Sequence, residues 1–116
     1  MGVLREQRMS VDEFVEWWQA QPGKTKFELD QGRVVALSPE TVRHANIKAN
    51  ARDCLREAIA KADLDCHAYP DGPSIRIDGD TLREPDASAQ CGQSVDEDSI
   101  FLDTPIVVVE VISPSS

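Results

Sequence analysis

The stretch Thr104-Pro105-Ile106-Val107-Val108-Val109-Glu110-Val111-Ile112-Ser113-Pro114 constrains this chain most. From Ile106 to Ile112 every residue except Glu110 is β-branched, and a proline stands on either side. Side chains so stiff at χ1 favour strand over helix. A run apolar on both alternating faces reads as a central strand, buried on both sides of a sheet. Within it Glu110 puts a carboxylate where water should be scarce. An unpaired buried charge is costly, so Glu110 needs a cation, a donor network or a proton.

A second acid stands in Leu82-Arg83-Glu84-Pro85-Asp86-Ala87-Ser88-Ala89, read as a shorter strand after the turn Asp78-Gly79-Asp80. If the two strands are neighbours, Asp86 and Glu110 can converge on one hard cation such as Mg²⁺. That ion takes a few carboxylate oxygens and keeps water for the rest. The plainer reading has Asp86 capping a turn and Glu110 reaching solvent at a strand end, and spacing alone favours it.

With 116 residues the chain is expected to form one domain with a single modest core. No apolar run approaches the roughly 18 residues a membrane span needs, and the first residues lack an apolar signal core. The expected place is the cytoplasm. Cys54, Cys66 and Cys91 are an odd number with no close pair, which suggests neither a disulfide frame nor a zinc site. The net charge of −9, from 21 acidic and 12 basic residues, argues against sequence-independent nucleic-acid binding by the whole surface. Any contact with nucleic acid must then rely on a local basic strip or on metal ions.

Residues 1–9 read as a flexible lead-in to a domain over 10–116. Ser10-Val11-Asp12-Glu13 is a capping box, and Met9 and Phe14 occupy the positions of a hydrophobic staple. Val11, Phe14, Val15 and Trp18 form the core face of the helix that Pro22-Gly23 ends. A β-hairpin follows: Phe27 and Leu29 on one face and Glu28 on the other, then Asp30-Gln31-Gly32, then Arg33 to Leu37. Glu28 by itself is most simply a solvated strand residue, paired with Lys26 or Arg33.

Ser38 and Pro39 suit the N-cap and first position of the longest helix, predicted over 39–62. Its apolar stripe is Ile47, Ala51, Leu55, Ala58, Ile59 and Ala62, and His44 lies in line with it. Short strands at 66–69 and 74–77 flank Pro70-Asp71-Gly72-Pro73. Residues 90–104 form an acidic loop without a calcium-binding pattern. These elements predict an α/β chain, with the 106–112 strand in the middle of a mixed sheet and the 39–62 helix packed on it.

The pieces Phe27-Glu28-Leu29 with Gly32, Ser38-Pro39 leading to His44, Glu84-Pro85-Asp86, and Pro105 to Ser115 occur here in a telling order. With them the chain resembles the Uma-two-type restriction endonucleases of bacteria, a branch of the PD-(D/E)XK nuclease superfamily. The resemblance runs from Met9 onward. It implies a restriction-endonuclease-like core, a mixed β-sheet flanked by helices, incomplete at its C-terminal end. It also implies a DNA endonuclease in which Asp86 and Glu110 hold Mg²⁺ or Mn²⁺, with Glu28 a further acid near the site. A bound metal of this kind polarises the scissile phosphate and activates a water.

A lysine normally orients that water, but the position two after Glu110 is Ile112. Family members supply such a lysine from a helix further on, and the sequence stops at Ser116. Two expectations result: a truncated endonuclease domain with little or no activity, or a catalytically silent nuclease-like fold serving assembly or regulation. An open 106–112 strand also predicts a homodimer or higher assembly. A lysine borrowed across that contact would be Lys24, Lys26 or Lys48.

Overall fold

The structure, a computed structural model, describes residues 8–23, 25–92 and 95–112. Among the described residues the fold is α/β with two helices and two sheets, one of them mixed, consistent with a restriction-endonuclease-like core. The chain forms two compact units, one of residues 1–39 and 76–83, the other of 40–75 and 84–116.

In the first unit α1 (Val11–Gln19) starts on the expected capping box: Glu13 N–H donates to Ser10 Oγ, and Ser10 N–H donates to the Glu13 carboxylate. Met9 and Phe14, the staple pair, are both buried. Residues 1–7 of the expected lead-in lie outside the described residues. Strands β1 (Phe27–Asp30) and β2 (Arg33–Ala36) form the hairpin, with Asp30 opposite Arg33. Gln31 and Gly32 both have positive φ, as a two-residue type I′ turn requires. The Gly32 amide donates to Asp80 O, and its carbonyl accepts from Met9 N–H. Phe27, Leu29, Val34 and Leu82 join Val11 and Phe14 in the core of this unit.

In the second unit α2 (Val42–Lys61) packs on β3 (Cys66–Pro70) and on β6 (Ala87–Cys91). Its N-cap is Thr41, whose Oγ1 accepts the His44 N–H, and not Ser38. The expected apolar stripe is also displaced. Ile47 and Ala58 are exposed, while His44, Lys48, Ala51, Leu55 and Ile59 make the half-buried face. Strand β4 (Ser74–Asp78) begins here, pairing in parallel through Ser74 and Ile75 with β7 (Phe101–Leu102). Its last three residues lie in the first unit, beside β5 (Thr81–Arg83).

Strand β8 (Pro105–Val109) corrects the central expectation about the sheet. It pairs with β6 at the edge of the three-stranded order β3-β6-β8, and among the described residues nothing pairs with its other side. Ile106 is 63% exposed and Val108 48%, so one face of the strand is open. β-Branched residues on both parities served strand stiffness here rather than burial on two faces. Val107 lies opposite Ala89 but Pro105 opposite Gln90, so Ile106 is the extra residue of a β-bulge. Gln90 anchors that end, donating through Nε2 to Asp103 and accepting the Thr104 N–H.

The thiols give a second correction. Cys66 and Cys91 are direct partners in the β3–β6 register and are joined in a disulfide, leaving Cys54 free on the exposed side of α2. A separation of 25 residues concealed the pair, because only the strand pairing brings the two together.

Candidate functional site

Asp86 forms a bend one residue before β6, and Glu110 follows the last residue of β8. Ala87 and Val109 are cross-strand partners, so the two acids occupy the next opposed positions of the same register. The bonds continue past the ladder. Asp86 N–H donates to Val109 O at 2.9 Å, and Asp86 Oδ2 accepts the Val111 N–H at 2.6 Å. The carboxylate of one acid thus clasps the backbone beside the other. Pro85, fully buried, stiffens the approach to this bend.

Helix α2 brings charged groups to the same corner. His44 Nδ1 lies 2.7 Å from Glu40 Oε2, while Nε2 lies 3.3 Å from Val111 O and 3.7 Å from Asp86 Oδ2. Both ring nitrogens face atoms that only accept, which suits the doubly protonated imidazolium. The hydrogen bond to Glu40 holds the His44 pKa above its ordinary value, against the pull of burial, with help from Val111 O and the Asp86 charge. One turn further, Lys48 Nζ lies 2.7 Å from the same Glu40 Oε2 and 2.9 Å from Asp71 Oδ2. Burial draws the Lys48 pKa down, but these two carboxylates outweigh it and leave it raised. The Lys48 hydrogen bond in turn holds Glu40 below the usual carboxylate range. The result is a ladder from Asp71 through Lys48, Glu40 and His44 to Asp86.

Asp86 and Glu110 are thus the next residues after the last cross-strand pair of β6 and β8, and Glu110 is exposed there rather than short of water as the apolar run implies. Glu28 stands half-buried on β1, opposite Val35, in the first unit. Of the three lysines named for a borrowed role, Lys48 is engaged within its own chain by Glu40 and Asp71, and Lys24 lies outside the described residues. Ile112 is 91% exposed, so the position two after Glu110 presents an apolar side chain to solvent.

His44 and its ladder were the part that sequence reasoning missed. Beyond the Ser38-Pro39 piece that leads to His44, the signal was Glu40, His44 and Lys48 at helical spacing. Their partners Asp71, Asp86 and Val111 come from distant stretches.

The hard oxygen donors Asp86 and Glu110 are the residues that could hold a divalent cation. Among the described residues no group of three or more His, Cys, Asp and Glu is arranged to hold one. Two carboxylates fit an ion such as Mg²⁺ that keeps several waters. The second unit also has a cleft of about 520 Å³, lined by Arg52, Tyr69, Asp96 and Phe101 among others. Neither acid lines this cleft.

The Uma2 family model, described as "Putative restriction endonuclease", matches residues 11–116. No curated protein matches the chain.

Proposed function

The chain belongs to the Uma2 family, and on that premise we propose that it is a divalent-metal-dependent DNA endonuclease domain. Asp86 and Glu110 would hold Mg²⁺ or Mn²⁺, and Glu28 enters as a further acid through the family resemblance alone. The observation that supports this most is the clasp between Asp86 Oδ2 and Val111 N–H, which ties the Asp86 side chain to the backbone just after Glu110. A bound divalent ion would polarise a phosphodiester and lower the pKa of a water. In the hydrolysis the water oxygen bonds to phosphorus as the ester P–O bond breaks, and the leaving oxygen takes up a proton. Asp86 and Glu110 would supply the negative charge that holds the cation, with the His44 ring 3.7 Å from Asp86 Oδ2.

Ile112 in place of a lysine favours a second reading, a catalytically silent nuclease-like module for assembly or regulation. Isothermal titration with Mn²⁺ and cleavage of plasmid DNA separate the two. The metal reading expects Mn²⁺ binding that Asp86→Ala abolishes with helix content retained, and little cleavage. A wild-type protein that binds no Mn²⁺ would refute it, whereas robust cleavage lost in Glu110→Ala would refute the silent module.

We propose further that the protein works in the cytoplasm and self-associates along β8, whose outer edge and exposed Ile106 and Val108 invite pairing. Among the described residues no helix is long and apolar enough to cross a membrane. Sedimentation as a monomer at micromolar concentration would reject the association.

A further inference from the structure

We infer that His44 is a positioning residue of the metal corner, an inference that rests on the metal-dependent reading above. Val111 is the residue next to Glu110, and both of its backbone groups are engaged. Its N–H donates to Asp86 Oδ2 at 2.6 Å, and its carbonyl faces His44 Nε2 at 3.3 Å. Val111 is thus held through the two successive peptide groups that flank its Cα, the first by the bend residue Asp86 and the second by a helix residue. The strand ladder has already ended at Val109, so the sheet gives these peptides no pairing of their own.

The grip is only as firm as the imidazole that makes it, and a row of contacts holds His44 in place. Thr41 Oγ1 caps the His44 N–H at 3.1 Å and fixes the backbone at this point of α2. Glu40 Oε2 takes the other ring nitrogen at 2.7 Å. Lys48 keeps Glu40 in place by sharing the same carboxylate oxygen, and Asp71 anchors Lys48 in turn at 2.9 Å. Every side chain in this row lies on α2, on its N-terminal flank, or on the Asp71 bend after β3. His44 therefore sets the angle at which Glu110 meets Asp86 without itself being a ligand. Partners of this outer kind orient metal-binding side chains, and losing one weakens metal affinity by about 10–100-fold.

The test is Mn²⁺ affinity of the full chain at one pH, by calorimetry, with circular dichroism and thermal unfolding as controls. His44→Ala is expected to bind Mn²⁺ about 10–100-fold more weakly with a cooperative unfolding transition retained. His44→Gln, which keeps a donor toward Val111 O, is expected to recover part of the loss. Lys48→Met, which touches neither acid, should weaken binding by less than His44→Ala, and it carries the test if His44→Ala does not fold. Wild-type affinity in both His44→Ala and Lys48→Met would overturn the positioning role while leaving the metal reading intact. Complete loss in His44→Ala and His44→Gln alike, as in Asp86→Ala, would make His44 a ligand and overturn it too. A wild-type chain that binds no Mn²⁺ defeats the metal reading itself, and this inference falls with it.

Discussion

Asp86 Oδ2 accepts the Val111 N–H at 2.6 Å, closing a bond between residues 25 apart just where the β6–β8 ladder ends. A carboxylate here is structural as well as chemical. It replaces the next ladder bond with a side chain, so the strand end is fixed whether or not a cation is near.

That dual role predicts an ordering of variants. Asp86→Ala leaves the Val111 amide without its acceptor and should cost about 1–3 kcal/mol in urea unfolding. Asp86→Asn keeps an oxygen in place and should cost clearly less. Equal losses in the two would show that the amide bond carries no stability.

The α2 ladder predicts a stability window in pH. Glu40 is held below its usual 4.5, so its contribution is present above that value and lost as pH falls through the lower folded-state value. His44 is held above its usual 6.5, so its contribution is complete below that value and lost as pH rises through the higher one. The difference in melting temperature between wild type and Glu40→Gln should therefore be largest between these two limits and shrink on either side. For His44→Gln the difference should fade toward alkaline pH. A difference for either variant that stays flat across this range would contradict the ion pairing.

Thiol titration under denaturing, non-reducing conditions should find one reactive cysteine, Cys54, and three after reduction. The bridge closes a loop of 25 residues, for which chain-entropy arguments give about 3 kcal/mol of stabilisation. Reduction, or Cys91→Ser, should lower unfolding stability by up to that amount. Three reactive thiols before reduction would mean that the strand partners are not bonded in the protein as purified.

Gly32 sits at φ +84°, and a Cβ there would lie 2.9 Å from Arg8 Cβ and 3.3 Å from Met9 O. Gly32→Ala should therefore destabilise by at least about 1–2 kcal/mol from the left-handed backbone alone. Gln31→Gly relieves the same strain at φ +50° and should be neutral or mildly stabilising. Thermal unfolding of the two variants checks the pair, and equal melting temperatures would refute it.

What could be read in advance was what is local. The Ser10 capping box, the Gln31-Gly32 turn and the α/β class depend on residues within a few positions of each other. The start of α2 was misjudged because Ser38-Pro39 and Thr41 are both good openings. Only the bond from His44 N–H to Thr41 Oγ1 decides between them. That Asp86 and Glu110 would end neighbouring strands was legible as a conditional, and the β6–β8 pairing meets its condition. Its helical half was not, since His44 reaches a carbonyl 67 residues away. The β8 error came from treating apolar character on both parities as burial on both faces, when Ile106 and Val108 face outward.

The bulge at Ile106 divides β8 into two counting frames. Val107 to Val109 are numbered from the Asp86 end, while Pro105 is numbered from Gln90 and its hold on Asp103 and Thr104. In an ordinary strand a one-residue shift that enters the pairing register turns every later side chain to the opposite face. Here the irregular residue can absorb a one-residue gain or loss in the 92–104 segment before it reaches Val109. That segment is thus the place where an engineer could graft or trim sequence and leave the geometry of Glu110 untouched.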